Sequence, residues 1–147
     1  MRSAKSQPAS RHTAVWKAVR QLAQFRYRLR RFLRFSEQAA RAAGVTPQQH
    51  QLMLGIAGFT GDGWATISDL QEFLQERHNA VVALVNRAVR AKLVRKTHVA
   101  RDRRFVRVDL TSAGRAVLAK LSALHRRELA RFSDGSSGAL FPLFRER

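Results

Sequence analysis

The chain contains no cysteine. Disulfides, thiolate zinc sites, cysteine nucleophiles and thiol redox switches are excluded together. Acidic residues are scarce: 10 Asp and Glu stand against 28 Lys and Arg, a formal net charge of +18. Long apolar runs are missing, and none approaches the roughly 20 residues that a membrane span needs. The opening stretch MRSAKSQPASRHTAVWKAVRQ has no apolar core of the signal-peptide kind, so neither secretion nor a membrane partner is expected. There is also no HExxH, no paired-carboxylate context and no glycine-rich nucleotide loop. Gly61-Asp62-Gly63 is followed by no Lys-Ser/Thr, and so reads as a turn. No enzyme, cofactor or metal is expected.

What is present is a chain of 147 residues, 45% hydrophobic, enough for one domain with a real core. The positive charge then has to sit on a folded surface. An excess of this size calls for a polyanionic partner, nucleic acid or anionic lipid. Arg outnumbers Lys 23 to 5. The planar guanidinium fork suits phosphates and guanine edges, which favours nucleic acid.

Residues 1–13 are basic and unpatterned, and read as a flexible arm. Ala14 to Ala43 contains no Pro or Gly, and Gly44 supplies a stop. At 100° per residue, Val15, Val19, Leu22, Phe25, Leu29, Phe32 and Leu33 share an arc of about 140°, which predicts a long amphipathic helix. Thirty residues would extend about 45 Å. That is long for a small domain, so part of the helix should pack on another subunit, with Trp16, Phe25 and Phe32 in the dimer core, rather than lie on a membrane. Thr46-Pro47-Gln48-Gln49 starts a second helix, with a Thr N-cap and Pro at its first position. It runs through Leu52, Met53, Ile56 and Phe59. Trp64-Ala65-Thr66 is extended, and Thr66 or Ser68 caps a short third helix. A turn at Gln75-Glu76-Arg77 leads into a fourth helix from His78 to Ala91, with Val81, Leu84, Val85 and Ala88 inward. Leu93–Thr97 and Phe105–Leu110 are strand candidates. In the second, Val106, Val108 and Leu110 alternate with Phe105, Arg107 and Asp109. Val99 to Arg104 forms a charged tip. Thr111 caps a fifth helix reaching about Phe132, and 133–147 is a tail interrupted by Pro142.

Two short helices joined by a tight turn and followed by a basic hairpin make a winged helix-turn-helix. The fold class is mostly α with a small β-hairpin wing, flanked by long terminal helices. The second helix must keep one face on the core and offer the other to a major groove, which is wide enough to admit it. The outer face carries His78, Asn79, Val82, Ala83, Asn86 and Arg87, the candidates for base readout. Asn can pair with adenine, Arg with guanine, and Val or Ala can touch a thymine methyl. Thr66, Ser68, Arg77, Arg90, Arg95, Lys96, Arg101, Arg103 and Arg104 are candidates for the DNA backbone or minor groove, where narrow A·T tracts attract Arg.

The ordered set of motifs resembles the MarR (multiple antibiotic resistance regulator) family of bacterial transcription factors. Val45-Thr46-Pro47-Gln48-Gln49 is similar to the start of that family's second helix. Thr66-Ile67-Ser68-Asp69-Leu70 is similar to the entry of its helix-turn-helix, and Val81 to Arg87 to its recognition helix. Leu93-Val94-Arg95-Lys96 leading to Asp102-Arg103-Arg104 resembles its wing, and Leu110 to Arg115 its strand-to-helix junction. The likeness spans residues 14–132. It implies a cytoplasmic homodimer held by helices 14–43 and 111–132, a lobe of residues 46–110 binding a pseudo-palindromic duplex, and a tail at 133–147 available to the dimer. It also implies repression relieved by a small aromatic or anionic effector, with Asp102 orienting Arg104 or its neighbour through a salt bridge. Two departures stand out. Asn79-Ala80 replaces a small hydroxyl pair, and Lys92 replaces a glycine, which predicts mild strain if the turn needs positive φ.

Trp16, Arg26, His50 and Met53 are candidates for an effector pocket. Arg26 falls within the apolar stripe of its helix, between Val19 and Leu33. It either pairs with Glu128, meets an anionic ligand, or snorkels to solvent. His50 is either a hydrogen-bonded structural histidine or a ligand contact. His125 and Glu128, at i and i+3, are too few to hold a metal.

Overall fold

The computed structural model describes residues 8–99 and 101–133, with the side chains of 8–11, 99, 103, 132 and 133 left aside. The C-terminal tail and residues 1–7 of the expected arm lie outside the described residues. The elements follow the chain as α1 (Pro8–Ala42), α2 (Pro47–Leu54), a π-helical segment (Gly55–Phe59), β1 (Trp64–Thr66), α3 (Ile67–Leu74), α4 (His78–Arg90), β2 (Val94–Val99), β3 (Asp102–Leu110) and α5 (Ser112–Ser133). The chain divides into two compact units. One joins residues 1–35 to 128–147, and the other is Ser36–Arg127.

Local chemistry sets most boundaries in the second unit. α1 ends where Gly44 turns left-handed at φ +81°. There the amide of Val45 bonds to the Ala40 carbonyl and that of Gly44 to the Arg41 carbonyl, satisfying the last carbonyls of the helix. Thr46 caps α2 and Thr66 caps α3. Each hydroxyl accepts from the third helical amide, while Gln49 and Asp69 reach back to the cap amide. Past Leu54, α2 widens into a π turn before reaching Phe59.

The core gathers one face from every element of this lobe. Leu52, Met53, Ile56, Leu70, Val81, Val85, Val94, Val108 and Leu121 are buried together. In α4 the four positions Val81, Leu84, Val85 and Ala88 are buried, as the spacing predicts. Burying a Val or Leu fully contributes about 1.5–3 kcal/mol, so this face anchors the helix and leaves the other free. The sheet order is β1-β3-β2, antiparallel throughout, with Trp64 opposite Asp109 and Val94 opposite Leu110. Both hairpin strands run further than the side-chain pattern predicts. They extend to Val99 and back to Asp102, with an irregularity between His98 and Val99. The hairpin tip is correspondingly shorter than Val99–Arg104.

The other unit contains residues 8–35 of α1 and the end of α5. α1 starts at Pro8, so residues 8–13 are helix rather than arm. Pro suits a first helical turn because its missing N–H would have no partner there. The apolar stripe of this stretch is exposed: Trp16 is 56% accessible, Leu22 60%, and Val15, Val19 and Leu33 are also open.

Candidate nucleic-acid interface

The outer side of α4 sorts into a crest and a flank. His78, Asn79, Ala83, Arg87 and Arg90 are exposed, whereas Val82 and Asn86 are half-buried. Asn86 is tied: its Oδ1 accepts a 2.7 Å hydrogen bond from Lys96 Nζ on β2. His78 Nδ1 lies 3.4 Å from Gln71 Oε1 on α3, which braces the entry to the helix. Arg77 occupies the cap position of α4 but makes no capping bond, so the first amides of the helix stay available to an anion.

Between residues 77 and 104 there are nine Lys or Arg against the single carboxylate of Asp102. Arg77, Arg87, Arg90, Arg95, Lys96, Arg101 and Arg104 are all exposed, and the Arg103 side chain lies outside the described residues. Asp102 engages the backbone of the tip. Its Oδ1 accepts from the backbone N–H of Arg104 at 2.9 Å. A carboxylate two residues before an amide closes a local turn, so Asp102 shapes the tip through the backbone. Thr66 is also engaged. Its hydroxyl donates to Asp69 Oδ2 at 2.8 Å and accepts from the Asp69 amide, a structural duty that competes with a phosphate contact. Ser68 remains exposed.

The turn after α4 carries the strain that the sequence forecast. Lys92 adopts φ +60°. Its amide bonds to Val89 O at 2.9 Å and that of Leu93 to Ala88 O at 3.0 Å, the pairing that a left-handed helix terminus makes. Thr111 then locks the turn to α5. Its hydroxyl donates to Lys92 O at 2.6 Å and accepts from the Gly114 amide at 3.0 Å. Gly114 packs so closely here that a Cβ would sit 2.1 Å from the Leu93 carbonyl oxygen.

The four candidate pocket residues divide between the two units, Trp16 and Arg26 in one, His50 and Met53 in the other. Trp16 is largely exposed and donates through Nε1 to His12 Nε2 at 3.1 Å. Arg26 is exposed rather than buried, and Glu128 pairs with Arg131 at 3.3 Å instead. Met53 is wholly buried in the lobe core. His50 is 1% accessible. It is therefore a core histidine whose Nδ1 has no hydrogen-bond partner among the described residues. Desolvation, reinforced by nearby His125, lowers its pKa from 6.5 to about 4. The two rings lie 4.8 Å apart. His125 is held by Leu121 O at 2.6 Å and Ser36 Oγ at 2.7 Å. A carbonyl only accepts, so His125 carries its proton on Nδ1 and, when neutral, takes the Ser36 hydroxyl proton on Nε2. An open cleft of about 650 Å³ lies elsewhere, between α3 and the start of α4, lined by Ser68, Gln71, Glu72, Glu76, Arg77 and Ala80 among others.

One cluster escaped the sequence reading. On the outer face of the sheet, Arg107 makes a forked contact with Asp109 at 2.9–3.1 Å and stacks over Trp64, 4.8 Å from the ring centroid. Asp109 was assigned outward by alternation, yet it is only 5% accessible beneath these neighbours. Residues i and i+2 of a strand share a face, so the Arg-x-Asp spacing was the available signal.

A helix anchored by one face, beside an arginine-tipped antiparallel hairpin, defines a winged helix-turn-helix fold. The model of the MarR family matches residues 43–104. A crystal structure of a MarR family transcription regulator is 25% identical, with 90% of this chain and 86% of that one covered at a TM-score of 0.73. MepR of Staphylococcus aureus, a regulator of a multidrug efflux pump, is 21% identical over 78% of this chain and 84% of its own, with a TM-score of 0.65. BpsR of Bordetella bronchiseptica is 21% identical over 78% and 86%, with a TM-score of 0.61. No curated protein matches the chain in sequence. The chain is thus similar to MarR family transcription regulators, in sequence over residues 43–104 and in fold over most of its length.

Proposed function

We propose that this regulator is a homodimer that binds a pseudo-palindromic double-stranded operator, represses from it, and is released by a small aromatic or anionic compound. It works in the cytoplasm and catalyses no reaction. The observation that carries this reading is the crest of α4, open to solvent, beside a hairpin that ends in arginines. The dimer is supported by the exposed apolar stripe of α1, which a second copy would cover. Two relatives lend weight: one MepR mutant is bound to an oligodeoxyribonucleotide, and 6-hydroxynicotinic acid regulates DNA binding by BpsR.

The +18 charge favours a second reading, a nucleoid-type or RNA-associated protein with little sequence preference. Salt titration separates the two, using duplexes from the DNA flanking the protein's own gene and random duplexes of equal length. Both weaken with salt. A specific regulator keeps a preference of roughly 10³ or more at matched salt, whereas a ratio near one selects the second reading. Thermal shift against a panel of small aromatic acids tests release. It requires the compound to favour the form that does not bind DNA.

A further inference from the structure

The hydrogen bond between α4 and β2 changes what Asn86 can do. An ammonium only donates, so the 2.7 Å contact with Lys96 Nζ orients the amide: Oδ1 faces Lys96 and Nδ2 points away. Pairing with adenine needs both ends of the amide, the oxygen accepting from N6 and the nitrogen donating to N7. One of the two lone pairs of that oxygen is already taken by the ammonium. What remains is a surface rich in donors, the Asn86 NH2 and the other N–H bonds of Lys96, with one oxygen lone pair beside them, and it carries positive charge.

Placement narrows the match further. Val82, Asn86 and Val89 are half-buried along one side of α4, while Asn79, Ala83, Arg87 and Arg90 form the exposed crest. Lys96 stands opposite Val108, and with Val94 it occupies the face of β2 that turns towards the core. Its stem therefore runs beside the helix flank and brings the ammonium to the seam between helix and wing. A seam beside a groove-bound helix faces the sugar–phosphate wall, and the crest faces the base edges.

We propose that Asn86 and Lys96 form a composite clamp for one phosphodiester of the bound duplex, so that Asn86 positions the protein and reads no base. The proposal rests on α4 being the duplex-binding helix. Lys96 supplies the charge. Asn86 holds Lys96 in place and adds a neutral donor, which makes it a positioning residue in part.

The test uses a duplex selected in vitro from a random pool, together with its scrambled counterpart, across a salt series. The proteins are the wild type, N86A, K96A, the double variant and N86D. N86A and K96A are expected to weaken both duplexes by the same factor, roughly five- to tenfold at low salt. K96A should flatten the plot of log affinity against log salt by about 0.9. The double variant should be little worse than K96A alone, because the two residues act as a unit. N86D keeps the contact but neutralises the ammonium, and should flatten the plot as K96A does, with its thermal melt unchanged. A relaxed preference at a single base pair in N86A, a guanine position included, overturns the clamp. So do strictly additive losses, or full affinity in both single variants. A wild type that binds neither duplex, or both equally, sinks the reading of α4 itself, and does so before any variant is compared.

Discussion

Lys92 holds a left-handed backbone that a β-carbon makes costly, and three hydrogen bonds at the turn keep it there. Lys92→Gly should stabilise the lobe by about 1 kcal/mol in urea unfolding, and Lys92→Val should destabilise it. That strain was legible through the family resemblance, because relatives usually carry glycine where Lys92 stands, and not from the pattern of this chain alone. His50 was not legible in the same way. A lone histidine in a helix does not reveal which ring will face it from residue 125. Its pKa, lowered from 6.5 to about 4, ties stability to pH. Between those values the unfolded chain binds a proton that the folded chain refuses, so stability is complete above about pH 6.5 and falls as pH drops towards 4. The total loss is about 3 kcal/mol for a shift of this size. Chemical denaturation across that range should show the slope, and His50→Leu should flatten it; a slope unchanged in the variant would assign it to other groups.

At the scale of elements, periodicity and caps made α2, α3 and α4 readable, because Thr46, Thr66 and the spacing of Val81, Leu84, Val85 and Ala88 act locally. The hairpin was read too short. Its outer rungs pair through backbone groups, and Asp102 and Arg103 look like loop residues to any side-chain pattern. The turn that Asp102 closes onto the Arg104 amide sets the wing's tip, and this argues for a contact that every duplex shares. Arg104→Ala is expected to weaken specific and random duplexes alike, about tenfold at low salt, and to lower the salt slope by about 0.9. Asn79→Ala, on the exposed crest, should instead relax preference at one base pair, a loss of about 1–3 kcal/mol confined to that position. Gel-shift titrations over a set of single-base operator variants check both. Equal loss on all sequences for Asn79→Ala would remove it from readout.

For the whole molecule, the open stripe of α1 is an apolar surface that a single copy leaves uncovered. The length and amphipathic pattern of that helix were legible. Its start at Pro8 was not, because residues 8–13 show no apolar spacing. The pairing proposed for Arg26 failed within one chain for a simple reason: Glu128 has a nearer cation one turn away in Arg131. Leu22 is 60% accessible in the single chain, so a charge there disturbs the lobe little. Leu22→Glu should convert a dimer to monomer in light scattering while leaving the lobe folded. It should also abolish tight binding to a site of roughly 16–20 base pairs with half-sites about 34 Å apart. A Leu22→Glu protein that remains dimeric would place the subunit contact elsewhere.

The missing methyl at Gly114 has a mechanical consequence. With a bare α-carbon pressed against the carbonyl of Leu93, and Thr111 bridging the same turn, the opening coil of α5 and the closing coil of α4 have no slack between them. They behave like meshed teeth. A twist applied to one should therefore reach the other, and with it the exposed crest of α4.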